Sequence, residues 1–145
     1  MKYEIVEMKE KLVVGVQVEV DDNPQMPAIR EAWEKVMFGG VYETIRNRCG
    51  AQAIGLYTDY AEKSCKFLCG AEVSENGNPE LAAVAIPAGR YARFVVKATA
   101  EEMDDAVAKF WAEEMQGHPE LGRLLDFDYE EYPDRETAHI FIALK

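Results

Sequence analysis

The chain has 145 residues, the length of one ordinary domain, and its 48% hydrophobic and 30% charged residues are typical of a globular protein. Asp and Glu number 27 against 16 Lys and Arg, so the net charge is −11 with both histidines neutral. A duplex-binding protein needs basic side chains to neutralise phosphates, and the sequence has no basic stripe. We therefore expect no direct nucleic-acid binding, and an acidic surface that favours solubility and attracts cationic ligands.

The cysteines and histidines argue against disulfides and metal sites. Cys49, Cys65 and Cys69 are an odd number, and no secretory signal opens the chain, so we expect a reducing, cytoplasmic setting. His118 and His139 are isolated from other metal-ligand side chains, which predicts no metal site, and we expect no cofactor. Every apolar stretch is shorter than the roughly 20 residues of a membrane helix, so we expect no membrane contact.

Hydrophobic periodicity predicts alternating strands and helices along the chain. Pro27 is placed to begin the first helix, and Thr99 with Glu102 three residues later resembles a capping box for a long second one. The predicted elements are strands at 3–8 and 12–20, a break at 21–24, helical patterns from 27 and over 41–49, a strand pair at 53–60 and 66–73, a hairpin of 81–86 and 90–98 around Pro87, a helix from 99 to 117, and strands at 125–131 and 137–144.

The order strand, helix, strand, strand occurs twice, in about residues 12–73 and 89–144. In this alignment Tyr57 and Glu130 occupy matching positions on corresponding strands. The predicted fold class is α+β, one domain over residues 1–145: a curved antiparallel sheet with two helices on one side and a central ligand cleft. The alternative is an incidental echo of element order, which many α+β domains show.

Several short motifs resemble those of one family. The sequence reads Ile-Gly-Leu-Tyr-Thr-Asp-Tyr at 54–60, Gly-Ala-Glu-Val at 70–73, Ile-Pro-Ala-Gly-Arg-Tyr-Ala at 86–92 and Tyr-Glu-Glu-Tyr at 129–132. In this order and spacing they resemble the GyrI-like small-molecule-binding domain, the effector-binding domain of AraC-type and MerR-type bacterial transcription regulators. The resemblance covers essentially the whole chain. It implies the duplicated fold, a cleft for bulky, often cationic aromatic compounds, and Glu130 as the buried acidic ligand contact.

The family's regulators carry a helix-turn-helix domain ahead of this module, whereas this chain begins with the first predicted strand. We therefore expect a standalone form that acts as a free binder, a partner protein or an enzyme.

A flat cationic ligand needs apolar surface and a counter-charge, which aromatic rings and a carboxylate supply. Glu130 is the predicted counter-charge, although a register slip would turn Glu131 inward instead. Trp33 and Trp111 either line the cleft or pack behind the sheet, and Tyr91 is either a ligand contact or edge packing. The predicted ligand-binding residues are Glu130, Tyr57, Tyr132, Trp111, Trp33 and Tyr91.

Three functions fit this pattern. The first is a module that senses or sequesters a small amphipathic, cationic aromatic molecule. The second follows from the resemblance: some standalone GyrI-like proteins hydrolyse strained cyclopropane rings, and here Glu130 would act as base with Tyr57 as proton donor. The third is a protein partner or inhibitor, with gyrase as the family's namesake target. A homodimer or a partner regulator is compatible with each, and the sequence does not name the ligand.

Overall fold

The computed structural model describes residues 1–21 and 25–145. In these residues an eight-stranded antiparallel sheet has the order β1-β6-β8-β7-β3-β4-β2-β5. The strands are β1 (Tyr3–Met8), β2 (Lys11–Asp21), β3 (Ala53–Thr58), β4 (Ser64–Val73), β5 (Ala82–Ile86), β6 (Gly89–Lys97), β7 (Arg123–Asp134) and β8 (Thr137–Leu144). The helices are α1 (Gln25–Met37), α2 (Val41–Thr44) and α3 (Met103–Lys109), and α3 continues as a π turn (Phe110–Glu114) and a 3₁₀ turn (Met115–Gly117).

Corresponding strands of the two copies pair in the same register, which agrees with the predicted duplication. The matching cross-strand pairs are Leu56 with Leu68 in β3–β4, and Tyr129 with Phe141 in β7–β8. Tyr57 and Glu130 follow Leu56 and Tyr129 in the chain, so they occupy equivalent positions. Because β3 and β7 also pair with each other, both positions lie at the centre of the sheet, where the two copies meet. The predicted α+β fold class is confirmed.

The edge strands are exchanged between the copies. β1 pairs with β6 rather than with β2, and β5 pairs with β2 rather than with β6. The predicted hairpin of residues 81–86 and 90–98 is therefore wrong, because at Pro87-Ala88 the chain passes from the edge strand β5 to β6, which lies next to the opposite edge strand β1. This passage is short because the sheet curves strongly: Ile86 of β5, Tyr91 of β6 and Val6 of β1 pack into one apolar cluster.

The two faces of the sheet carry different cores, because side chains alternate along each strand. One face is filled by the cluster that includes Leu56, Tyr129 and Phe141. The other face carries the helices: α1 packs on Phe67 and its neighbours, and α3 packs on Phe94 and its neighbours. Tyr57 and Glu130 lie on this helix-bearing face, between α1 and α3. None of the helices in the described residues combines the length and apolar character that a membrane span requires.

The second helical pattern is shorter than predicted, ending at Thr44 instead of near Cys49. The next residues find backbone partners outside a helix. The buried Asn78 side chain accepts a hydrogen bond from the N–H of Arg46 at 2.8 Å and donates one to the carbonyl of Thr44 at 2.9 Å. The N–H of Cys49 then donates to Glu72 of β4. The helical periodicity of residues 41–49 therefore does not produce a helix beyond Thr44, because the following backbone groups bond to Asn78 and to the end of β4.

Helix starts also differ from the sequence-based expectation. α1 begins at Gln25, so Pro27 lies in its first turn, where a missing N–H costs little. Thr99 does not cap α3: the helix begins at Met103 after Glu102, and the carbonyl of Thr99 accepts the Glu102 N–H in a preceding turn. The predicted end at Gly117 is confirmed. Residues 22–24 of the predicted break lie outside the described residues.

The close approach of β2 and β4 provides a test of this register, since Gly15 lies opposite Gly70. A Cβ on Gly70 would lie 1.9 Å from the carbonyl oxygen of Val14, whereas a Cβ on Gly89 in β6 would meet nothing within 4 Å. We expect Gly70→Ala to lower the free energy of unfolding by about 3 kcal/mol through this backbone clash. The free energy of unfolding of Gly89→Ala should fall much less. Urea unfolding of both variants measures this, and equal losses would contradict the register.

Candidate functional site

Glu130 lies on β7, one of the two central strands of the sheet, and is 1% exposed. Gly55 of β3 lies opposite it. Because Gly55 has no side chain, two aromatic rings approach the sheet there: an added Cβ would lie 2.9 Å from the Phe67 ring and 3.0 Å from Trp33. A glycine at this position therefore leaves room for an aromatic enclosure beside the carboxylate.

Three aromatic side chains donate hydrogen bonds to the Glu130 carboxylate. The indole Nε1 of Trp111 donates to Oε2 at 2.7 Å, and the Tyr57 hydroxyl donates to the same oxygen at 3.1 Å. The Tyr132 hydroxyl donates to Oε1 at 2.8 Å. The structure thus joins four of the six predicted site residues in one hydrogen-bonded group around a single carboxylate.

All three donors are neutral groups, so the buried charge has no cationic partner among the described residues it contacts. Burial raises the pKa of Glu130, and the three hydrogen bonds lower it by a smaller amount. Burial also raises the pKa values of Tyr57 and Tyr132 well above 10, and the neighbouring Glu130 charge raises them further. Both tyrosines therefore stay protonated and remain donors at neutral pH. Ionisation of a buried carboxylate is costly, and a nearby positive charge would reduce that cost.

Trp33, the fifth predicted residue, completes the enclosure from α1. Its ring packs edge-on against Tyr132 with the centroids 5.2 Å apart. On the other side Trp111 packs edge-on against Tyr57 at 5.4 Å. One tryptophan from each helix therefore stands over one tyrosine from the sheet, and Phe67 packs beside both Trp33 and Tyr57. The rings of Trp33, Tyr57, Trp111 and Tyr132 are half-buried, so the group is accessible from its outer side.

Trp111 reaches the carboxylate from a π turn, where one helical turn is wider than in an α-helix. Phe110, the residue before it, is buried against Phe94 and fixes this part of the helix on the sheet. The sequence predicts one long helix here and gives no sign of the π turn. π turns often occur at functional sites.

The structure does not bring Tyr91, the sixth predicted residue, to this group. Tyr91 lies on the opposite face of the sheet, where its ring packs edge-on against Tyr129 at 5.7 Å. Its hydroxyl donates to the carbonyl of Pro87 at 3.0 Å, which holds the corner between β5 and β6. Tyr91 therefore fits the packing alternative. Glu131 also faces away from the site, and its Oε2 lies 3.8 Å from the Nζ of Lys11.

Asp128, a second fully buried carboxylate, was not singled out from the sequence. Its Oδ2 accepts hydrogen bonds from the Tyr60 hydroxyl at 2.6 Å and from Arg123 at 2.8 Å, and its Oδ1 accepts the N–H of Ala143 at 3.0 Å. This charge is paired with a cation, and the side chain bonds the backbone beside an irregularity of the β7–β8 ladder. Asp128 is therefore structural, in contrast to Glu130, whose partners among the described residues are all neutral.

The aromatic rings of the protein itself fill the cleft that the sequence predicts. They cover the buried Glu130 carboxylate, and the rings themselves are half-exposed. A ligand that contacts Glu130 must displace at least one of its three donors. Among residues 1–21 and 25–145, no three His, Cys, Asp or Glu side chains come together as a metal site would require.

A buried carboxylate without a cation should cost stability at neutral pH. The pKa of Glu130 is raised in the folded state, so the stability it contributes is present below the ordinary Glu pKa and is lost as pH rises through the raised value. We expect Glu130→Gln to unfold at a higher temperature than the wild type at neutral pH, with the difference shrinking on acidification. The amide still accepts from Trp111 and Tyr57 and donates to Tyr132.

Thermal unfolding at several pH values measures this effect, with Glu131→Gln as the control for the same charge change on the other face. A lower unfolding temperature for Glu130→Gln at neutral pH would mean that the carboxylate serves the fold.

Comparison with known structures shows the fold in three further proteins. SAV2435, solved bound to tetraphenylphosphonium, is 13% identical with a TM-score of 0.82, over 100% of this chain and 94% of that one. The integron cassette protein VCH_CASS2 from the mobile metagenome of Vibrio cholerae is 21% identical with a TM-score of 0.79, over 99% and 95%. EcmrR in its complex with DNA is 19% identical with a TM-score of 0.65, and the match covers 99% of this chain and 57% of EcmrR.

At these identities the three structures establish a shared fold. Among curated proteins, none is significantly similar in sequence. The Cass2 family, described as integron-associated effector-binding proteins, matches residues 4–144, which is nearly the whole chain. The GyrI-like resemblance is thereby confirmed, and the chain belongs to the Cass2 family of integron-associated effector-binding proteins.

Proposed function

We propose that this protein binds lipophilic aromatic monocations and related amphipathic cations, with Glu130 as counter-charge and the four surrounding rings as walls. The observation that carries the proposal is the buried Glu130 carboxylate, whose hydrogen-bond partners among residues 1–21 and 25–145 are three neutral donors and no cation. A structural carboxylate in the same strand, Asp128, has its arginine. The difference between the two supports a ligand-supplied charge at Glu130.

The aromatic walls suit such a ligand. Trp33, Tyr57, Trp111 and Tyr132 present ring faces and edges around one negative charge. Each cation–π contact contributes about 0.5–2 kcal/mol, and the flat rings also bury the ligand's apolar surface. The structural relative SAV2435 was solved with tetraphenylphosphonium, a lipophilic aromatic cation, which supports this ligand class. The net charge of −11 attracts cations in general, so specificity has to come from the enclosure.

The direct test compares tetraphenylphosphonium with the neutral triphenylphosphine oxide, using the fluorescence of the two tryptophans. We expect Glu130→Gln to weaken tetraphenylphosphonium binding by about 30-fold, or about 2 kcal/mol, because the counter-charge is lost. Binding of the neutral oxide should change little. Glu131→Gln carries the same charge change on the same strand and should leave both affinities near the wild-type values.

Equal weakening of the cation and the neutral compound would indicate that Glu130 shapes the site without serving as a counter-charge. An unchanged affinity for the cation in Glu130→Gln would exclude it from the site. Mass spectrometry of mixtures with cyclopropane-containing natural products addresses the hydrolase alternative. A gain of one water in mass that is lost in Glu130→Gln and in Tyr57→Phe would establish turnover, and intact compounds would support binding alone.

A further inference from the structure

Gly55 lies in the interior of β3, a strand that pairs on both sides, with β4 and with β7. A glycine in a strand interior lowers stability, and it often marks a position where another group approaches the backbone closely. The backbone conformation does not require a glycine there: in the described part of the chain, the glycines with a positive φ are Gly40 and Gly50. What distinguishes Gly55 is therefore the space that it leaves above the sheet.

Side chains occupy the space above Gly55. A Cβ at this position would lie 2.9 Å from Cε1 and Cζ of Phe67 and 3.0 Å from Cζ2 of Trp33. At Gly70, by contrast, the nearest atom is a backbone carbonyl oxygen of β2, which the pairing of two strands holds in place. The space above Gly55, here called the Gly55 slot, is held by ring atoms, which can move. It lies directly beside the carboxylate, because Gly55 and Glu130 are cross-strand partners.

Trp33 is the ring of the enclosure that can leave this slot at the lowest cost. The three hydrogen bonds to Glu130 come from the other three rings of the enclosure, so displacement of Trp33 breaks none of them. Phe67, the second ring above Gly55, is fully buried, whereas Trp33 is half-buried and partly exposed to solvent. An entering aromatic group can therefore take the place of the Trp33 ring.

We propose that Trp33 acts as a plug: its ring fills the Gly55 slot in the free protein, and an aromatic ring of the ligand displaces it and binds there. This inference rests on the proposed function and names the subsite for the aromatic part of that ligand. The ring of Trp33 packs against both Phe67 and Tyr132, so the ligand's ring lies between these two, with its positive charge beside Glu130. Tyr132 borders the slot, so it is the donor that the entering charge replaces.

Removal of the Trp33 ring is a direct test, because a plug and a wall predict changes of opposite sign. Trp33→Ala should bind tetraphenylphosphonium about fivefold more tightly than the wild type, since the protein no longer has to displace its own ring. Removal of a wall would instead weaken binding, because contact area is lost. Calorimetric titration measures the affinity without relying on tryptophan fluorescence, which the substitution reduces.

Free indole provides a second readout on the same variant. The cavity left by Trp33→Ala has the shape of an indole ring, so indole should bind in it, as apolar cavities take up matching apolar molecules. If a ring of the ligand uses the same slot, saturating indole should weaken tetraphenylphosphonium binding to Trp33→Ala by about fivefold, back to the wild-type level. The wild-type protein, whose slot is already filled, should not respond to indole.

Gly55→Ala tests the slot without removing a ring. The added Cβ fills the floor of the slot, so tetraphenylphosphonium binding should weaken by about tenfold. Gly89→Ala is the matched control, because its Cβ meets nothing within 4 Å, and it should leave the affinity unchanged. Circular dichroism verifies that each variant is folded. Because the two slot variants change different elements, a folding defect in one leaves the other as the test.

Three results would each overturn the plug: weaker tetraphenylphosphonium binding by Trp33→Ala, an affinity of Trp33→Ala that indole leaves unchanged, or unchanged binding by Gly55→Ala. Glu130→Gln separates these results from a failure of the proposed function. If it weakens binding of the cation but not of triphenylphosphine oxide while one of the three occurs, the counter-charge stands and the subsite is excluded. If Glu130→Gln leaves the affinity for the cation unchanged, the proposed function itself fails, whatever Trp33→Ala does.

Discussion

The central constraint in this structure is a carboxylate that is removed from water and has no cationic partner in the described part of the chain. Ionised groups in protein interiors are normally paired, because desolvation of a lone charge is costly. Around Glu130 the compensation comes from three neutral aromatic donors that converge from β3, β7 and the π turn after α3. The duplicated fold makes this convergence possible, since Glu130 lies at the junction of the two copies, with one helix on either side.

The neighbouring Asp128 shows what a structural carboxylate looks like in the same strand. It has an arginine, a tyrosine and a backbone amide as partners, and it fixes an irregular part of the β7–β8 ladder. Glu130 has aromatic rings where Asp128 has Arg123. The proposed function is based on this contrast, because a cationic ligand would supply at Glu130 the positive charge that Arg123 supplies at Asp128.

Much of this arrangement was predictable from local sequence patterns. Period-two alternation located the strands, and the internal repeat placed Tyr57 and Glu130 in equivalent positions at the centre of the sheet. Features that depend on distant partners were not predictable. Asn78 ends α2 early through backbone bonds across the chain, and the exchange of edge strands separates β5 from β6. Tyr91 was assigned to the site because strand alternation alone does not say which face of the sheet meets the helices. Asp128 was not singled out, because its structural role is visible only from its ion pair with Arg123.

Proton release on binding tests the central claim most directly. Calorimetric titration of tetraphenylphosphonium in buffers of different ionisation enthalpy counts the protons released at each pH. In the free protein Glu130 has a raised pKa, and a bound cation should lower it, so wild-type protein should release protons on binding as the pH approaches that raised value. Glu130→Gln should release none there, and Glu131→Gln should behave as the wild type. Equal proton release from Glu130→Gln and the wild type would contradict the assignment of Glu130 as counter-charge.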